Sequence, residues 1–334
     1  MTQIRIDQPP PADCEVGFVP GFGQRFLLTI DAEEEFDWSQ PLGREGHSLD
    51  SVPRLHKFQQ FCESIGVVPV YLADYPIATS PAAIEALRPA VTAGRAEIGI
   101  QLHPWVSPPH SEEVNQLNSF AGNLPADLER DKLLRLRDTI ARAFDTAPQI
   151  YRAGRYGVGP NSARILSDAG IAIDTSVRAR FNYSSGGGVD FSDHPLHPYW
   201  LDRSGGLMEL PLTTVFWGPL RGLGPWLYPR LWRTARARGA LSRLGLLERI
   251  PLTPEGVTDE EVIRAIDIAI DDAVPILVFS FHSPSLAPGY SPYVRSEEQL
   301  DAFYDWWRRA FAYLALRQVR PASVAEIMAA VALA

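Results

Sequence analysis

Cysteine is nearly absent from this chain: Cys14 and Cys62 are the only two in 334 residues, far apart and without histidine or cysteine neighbours at zinc-ligand spacing. A disulfide framework and a structural zinc knuckle are both excluded, and the two thiols are expected to be reduced. Long apolar runs are missing as well. No stretch reaches the 18 residues of a membrane-spanning helix, and the opening MTQIRIDQPPPADCEVGF lacks the seven or more consecutive apolar residues of a secretory signal. A cytoplasmic location is the default expectation. The chain also has no basic excess. Its net charge of -9 and pI near 5.3 argue against nucleic acid as a partner, since phosphate binding relies on clustered Lys and Arg. Internal repeats and linkers are absent too, which predicts a single domain over 25–334 behind an irregular Pro- and Gly-rich arm over 1–24. With 46% hydrophobic and 21% charged residues, such a domain can bury a sizeable core.

What is present is organised around Phe26 to Trp38, FLLTIDAEEEFDW. Phe26, Leu27, Leu28 and Ile30 form the apolar run of a strand covered on both faces. The stretch then turns acidic, with Asp31, Glu33, Glu34, Glu35 and Asp37 inside seven positions. Crowding that many carboxylates is costly unless water, a cation or a raised pKa relieves it. A strand that unloads carboxylates at its C-terminal end marks the edge where α/β sheets and barrels bind ligands.

The remaining pattern alternates. Helices are predicted over 52–65, 81–93, 125–144, 161–169, 258–273 and 297–314, with a short one from Ser323. Strands are predicted over 67–72, 96–102, 149–152, 171–177, 207–213 and 275–281, with Val319 closing the set. This rhythm favours a parallel sheet with right-handed crossovers, open or closed into a barrel. One stretch interrupts it. Residues 217–249 carry seven Arg against the single Glu248, interleaved with Trp226, Tyr228 and Trp232. A lid or helical excursion packed on its own domain is the expected role, with peripheral contact to an anionic membrane as the other reading.

On a strand, residues i and i+2 face the same way, so Asp31 can share a face with Glu33, Gln101 with His103, and Ser280 with His282. Arg152 and Asp174 fall at or near the ends of two further strands. Five strands thus offer polar groups to one end of the sheet.

The segments that do so, Ile30-Asp31-Ala32-Glu33, Glu97 to His103, Tyr151 to Gly157, Ile173 to Ser176 and Phe281 to Pro284, resemble in order the five motifs of the NodB-homology polysaccharide deacetylases, with the WalW-type branch as the nearest match. The resemblance implies a distorted (β/α) barrel of about seven strands. It further implies hydrolysis of an N- or O-acetyl group or a related C–N bond, usually with a divalent metal and without an organic cofactor. By the same resemblance Asp31 is the catalytic base, His282 the general acid and Arg152 the residue that holds the base, while Asp174 tunes His282.

The usual metal ligands of that family are replaced here. Ala32 stands at the position of a second aspartate, and Gln101 and Trp105 at those of two histidines. Glu33 and His103, with Asp31, are the candidates for a substitute zinc- or manganese-type site. A metal-free amide hydrolase fits the departures equally. Gln101, Trp105, Tyr156 and Trp200 are candidate substrate contacts, with Trp38 and Tyr199 as further aromatic surfaces for a sugar ring. Glu34, Glu35 and Asp37 are expected to be solvated loop residues. The implied substrate is a small carbohydrate or amide, and a non-catalytic glycan-binding protein is the reading from another class.

Overall fold

The computed structural model describes residues 4–37, 40–202, 204–231 and 234–332. Trp38 and Trp232 lie outside that set.

Strands β1 (Arg25–Ala32), β2 (Val70–Ala73), β3 (Glu97–Leu102), β4 (Ile150–Ala153) and β5 (Ile173–Asp174) follow one another in the chain and in the sheet. β6 (Tyr199–Trp200) and β7 (Met208–Glu209) extend it, β7 parallel to β5 and β6 antiparallel at the edge. β8 (Thr214–Trp217) and β9 (Glu248–Pro251) form a separate antiparallel pair. β10 (Ile276–His282) returns to the first strand, pairing with β1 in parallel from Arg25–Ile276 to Asp31–His282, and β11 (Arg320–Pro321) adds a short pairing to β1. Seven parallel strands, ordered β10-β1-β2-β3-β4-β5-β7, make a distorted (β/α) barrel, as the sequence motifs implied.

Helices α1 (Pro53–Ser64), α2 (Tyr75–Thr79), α3 (Pro81–Thr92), α4 (Ala126–Phe144), α5 (Ser162–Asp168), α6 (Gly224–Arg230), α7 (Ala235–Arg243), α8 (Asp259–Asp271), α9 (Glu297–Leu316) and α10 (Val324–Ala329) complete the chain. Thr258 and Glu261 cap each other's backbone at the start of α8, the box their spacing predicts. The outer core lies between sheet and helices, where α9 sets Phe303, Trp307 and Phe311 against Phe58, Phe281 and Phe26. A second core fills the barrel interior with Leu27, Val70, Leu72, Ile150, Ile173, Met208 and Val278. Gly99 lies on that inner face, where a Cβ would stand 2.6 Å from Leu72 Cδ2 and 2.8 Å from Ile150 O. Only glycine admits so close an approach.

The two cores follow from period-2 alternation, and so does the site. Above Leu27 the interior positions of β1 are Thr29 and Asp31; above Ile150 comes Arg152, and above Val278 come Ser280 and His282. Two expected strands are shorter than their apolar patterns, and of these 207–213 keeps only Met208–Glu209. Residues 171–177 keep only Ile173–Asp174, because Thr175 and Ser176 turn their hydroxyls to Leu210 O (2.8 Å) and Asp174 Oδ1 (2.6 Å). The stretch 217–249 forms α6 and α7 between β8 and β9, a pairing that periodicity did not suggest. Trp226 and Leu244 are exposed there. In the arm before β1, Ile4, Ile6, Cys14 and Val16 are buried, and Ile4 N–H bonds Leu201 O at 3.1 Å. Among the described residues no helix is long and apolar enough to cross a membrane.

Candidate active site

Asp31 ends the inner face of β1 and is buried. Arg152, equally buried at the end of β4, donates Nη1 to Asp31 Oδ1, Nη2 to Thr29 Oγ1 (2.8 Å) and Nε to Thr175 O (3.1 Å). A buried charge needs such a partner, and a guanidinium tied at three points fixes the carboxylate it holds. Oδ2 of Asp31 faces His282, whose Nε2 is 3.7 Å away.

His282 closes β10 with its ring edge open to the cavity. Glu255 grips it twice, accepting from the His282 backbone N–H (3.1 Å) and from ring Nδ1 (2.7 Å), and Ser285 Oγ donates to the same carboxylate (2.7 Å). The ring proton is assigned to Nδ1 because its partner is an ionised carboxylate. Burial alone would lower the imidazole pKa. Glu255, then Glu33 and Asp31, outweigh it and raise His282 to about 10. Burial in turn would raise Glu255, but the His282 cation and the hydrogen bonds hold it below the usual range. His282 is therefore an imidazolium near neutrality.

A third group lies beside them. Glu33 accepts from Gln101 Nε2 (3.0 Å), stands 3.5 Å from His103 Nε2, and donates its backbone N–H to Ser283 Oγ (3.2 Å). Burial pushes Glu33 up to about 8. The other nitrogen of His103, Nδ1, is 2.8 Å from Glu34 Oε2, while Trp105 Nε1 donates to Glu34 Oε1 (2.8 Å) and stacks on the imidazole at 4.4 Å. Glu34 N–H donates to Asp74 Oδ2 (2.7 Å), whose other oxygen caps α2 at Ile77 N (2.8 Å). Gly154 makes room for this ring, since a Cβ there would lie 2.3 Å from His103 Cδ2.

Asp31, Glu33, Glu34, Gln101, His103, Arg152, Glu255 and His282 line one cavity of about 310 Å3, together with Glu35, Phe36, Phe120, Arg155, Tyr156, Arg178, Tyr183 and the segment Tyr290 to Tyr293. Asp31, Glu33, Gln101, His103, Arg152, Tyr156 and His282 thus converge. Three candidates are placed elsewhere. Asp174 does not touch His282: it bonds Ser176 and shares a buried carboxyl pair with Glu209, both pushed up by burial. Trp200 lies in the edge strand β6 and is not among the residues lining the cavity. Trp105 is buried against His103 and Glu34, which orients that pair and leaves no open ring face for a sugar.

Two expectations about the acidic run are corrected. Glu34 and Glu35 are not solvated: they are 1% and 5% exposed, and Glu35 accepts from the Ser51 (2.5 Å) and Asp50 (2.9 Å) backbone N–H groups. A loop that folds back over a strand end can satisfy carboxylates with backbone donors as well as water can. Asp37 is exposed. The partner of His282, Glu255, escaped the sequence reading because it is a lone acid in the loop Thr253-Pro254-Glu255-Gly256, with no periodic signal.

No described protein family matches the sequence, and no curated protein matches it. Solved structures do. A Mycobacterium smegmatis protein assigned as a polysaccharide deacetylase is similar with a TM-score of 0.54 at 17% identity, over 96% of this chain and 94% of the other. The fold is that of the polysaccharide deacetylases. PuuE allantoinase is similar with a TM-score of 0.51 at 14% identity, over 98% of this chain and 96% of the other. Ala32, Gln101 and Trp105 stand at the positions that the motif resemblance aligns with metal ligands. A methyl, a carboxamide bonded to Glu33 and an indole N–H donor bonded to Glu34 do not fit a divalent ion. Among the described residues, Glu34, Asp74 and His103 place ligand atoms within 4.8 Å of one another and could hold a cation. Asp31 and Glu33 are not in that group. Its carboxylate oxygens and Nδ1 already bond one another and nearby N–H groups, so a cation would displace hydrogen bonds there.

Proposed function

We propose that this protein is a deacetylase-like hydrolase that cleaves an acetyl or related acyl group from the nitrogen of a small carbohydrate or other amide. The observation that carries the reading is the opposition of Asp31 Oδ2 and His282 Nε2 across 3.7 Å at the floor of the cavity. Arg152 holds the far oxygen of one and Glu255 the far nitrogen of the other, so each presents a single reactive atom.

Asp31 Oδ2 accepts a proton from a water, whose oxygen bonds the amide carbonyl carbon. Negative charge then grows on the carbonyl oxygen beside the His282 imidazolium, which offsets it. His282 Nε2–H gives its proton to the amide nitrogen as the C–N bond breaks, and an amine and a carboxylic acid leave. Gln101 Oε1, buried with no hydrogen-bond partner among the described residues, is an acceptor for a substrate N–H or O–H. No step passes through a metal. The allantoinase likeness in fold supports an amide outside the carbohydrates as the second substrate class.

The test is amine release from a panel of N-acetyl sugars and small amides. Asp31→Asn and His282→Ala should each lower kcat by about 10²- to 10⁴-fold. Hydrolysis undiminished in both variants would rule out Asp31 and His282 as base and acid, and no amine release from any member of the panel would leave the binding-protein reading.

A further inference from the structure

Among the described residues the cavity wall carries three guanidiniums, one of them matched by an acid. Arg152 is paired with Asp31. Arg155, just past β4, donates Nη1 to Ser119 Oγ (2.5 Å) and lies over the Phe120 ring at 4.5 Å. Arg178, past β5, donates Nη1 to Tyr183 OH (3.1 Å) and stacks on Phe181 at 4.0 Å and Tyr156 at 5.3 Å. Both are half-buried. Neither has a carboxylate within ion-pair distance among the described residues.

The acids of the same wall are committed elsewhere. Asp31 is held by Arg152, Glu34 by His103 and Trp105, Glu35 by the Ser48 hydroxyl and the backbone at Asp50 and Ser51, and Glu255 by His282. Glu33 bonds Gln101 on the side of His103. The sector formed by the loops after β4 and β5 therefore carries a surplus of two cations, in a protein whose overall charge is -9. Part-buried guanidiniums lose hydration and keep fork-shaped donors that match a carboxylate or phosphate. Their neutral partners, a serine, a tyrosine and ring faces, leave that capacity unused. Arg155 and Tyr156 also adopt left-handed backbone conformations, with φ of 56° and 59°. Non-glycine residues hold such values only where surrounding contacts impose them, and they gather at ligand sites.

We infer that Arg155 and Arg178 form an oxyanion subsite, so that the substrate amide carries a carboxylate or phosphate group directed to the β4–β5 side while its carbonyl lies at Asp31 and His282. Tyr156 and Tyr183, with ring centroids 5.4 Å apart, form the apolar wall between the two. The inference rests on this cavity being the substrate site.

Calorimetric titration of the full chain with matched pairs tests it: N-acetylglucosamine against its 6-phosphate, and an N-acetylated amino acid against its methyl ester. The charged member of at least one pair should bind about tenfold tighter at low salt, with the advantage shrinking as salt rises. The pair that shows it identifies phosphate or carboxylate. Arg178→Met and Arg155→Met should each reduce the advantage to within about twofold, whereas Arg178→Lys, which keeps the charge, should retain part of it. Equal affinities within both pairs, no measurable binding of either charged ligand, or an advantage untouched in both Met variants would overturn the inference. Charge-dependent binding without hydrolysis of any ligand would sink the hydrolase reading and leave the subsite standing. Hydrolysis indifferent to charge would do the reverse.

Discussion

Glu255 holds His282 from behind, accepting Nδ1–H at 2.7 Å and so turning Nε2 toward Asp31. The two residues are 27 positions apart and come from different elements, a loop before α8 and the end of β10. The same contact sets the charge of the ring, because a buried carboxylate favours the imidazolium.

Glu255→Gln should therefore change the pH profile as well as the rate. In the wild type His282 stays protonated up to about 10, so the alkaline limb of kcat/KM is expected near that pH. The variant should move the limb down toward the ordinary histidine range near 6.5 and lower the plateau by about 10²-fold. The stability change has a definite sign. A histidine with a raised folded pKa contributes stability that is full below about pH 6.5 and is lost as pH rises through about 10. Denaturant titrations at pH 6 and pH 10 should show the wild type ahead of the variant at the first and level with it at the second.

The Asp31–Arg152 pair is expected to couple strongly. Removing either partner leaves the other charge buried, so Asp31→Asn and Arg152→Met should each destabilise by about 3–5 kcal/mol. The double variant should cost much less than the sum, since no unpaired charge remains. Chemical denaturation of the four proteins measures the coupling, and strict additivity would show that the contact carries no energy.

Gly154→Ala places a methyl against His103 Cδ2 and, at 2.7 Å, against Leu102 O. A crowded core position of this kind costs about 1–3 kcal/mol. Displacement of the imidazole should appear as a shift of the His103 ring resonances. An unchanged spectrum with full stability would mean the ring does not need this space.

Chelation tests the donor-set argument. After exhaustive dialysis against a chelator, with metal content followed by elemental analysis, hydrolysis should remain within about twofold of the untreated protein. A loss restored by zinc or manganese, and not restored in His103→Ala, would instead assign the group Glu34, Asp74 and His103 as a metal site.

Local rules were sufficient for much of this protein. The alternation of apolar runs with capped amphipathic segments determined a parallel (β/α) architecture, and strand positions determined that Asp31, Gln101, Arg152 and His282 stand at or near strand ends, with side-chain alternation pairing Asp31 with Glu33 and Gln101 with His103. Both depend on residues two to four positions apart. What the tertiary structure alone decided are the partners: Glu255 for His282, Glu34 for His103 across 69 positions, and Glu209 for Asp174. The same holds for the burial of Glu34 and Glu35 and for the two arginines left without an acid. A carboxylate in a sequence has no address, because its partner is chosen by which loops fold over which strand ends, and in a barrel those come from opposite ends of the chain.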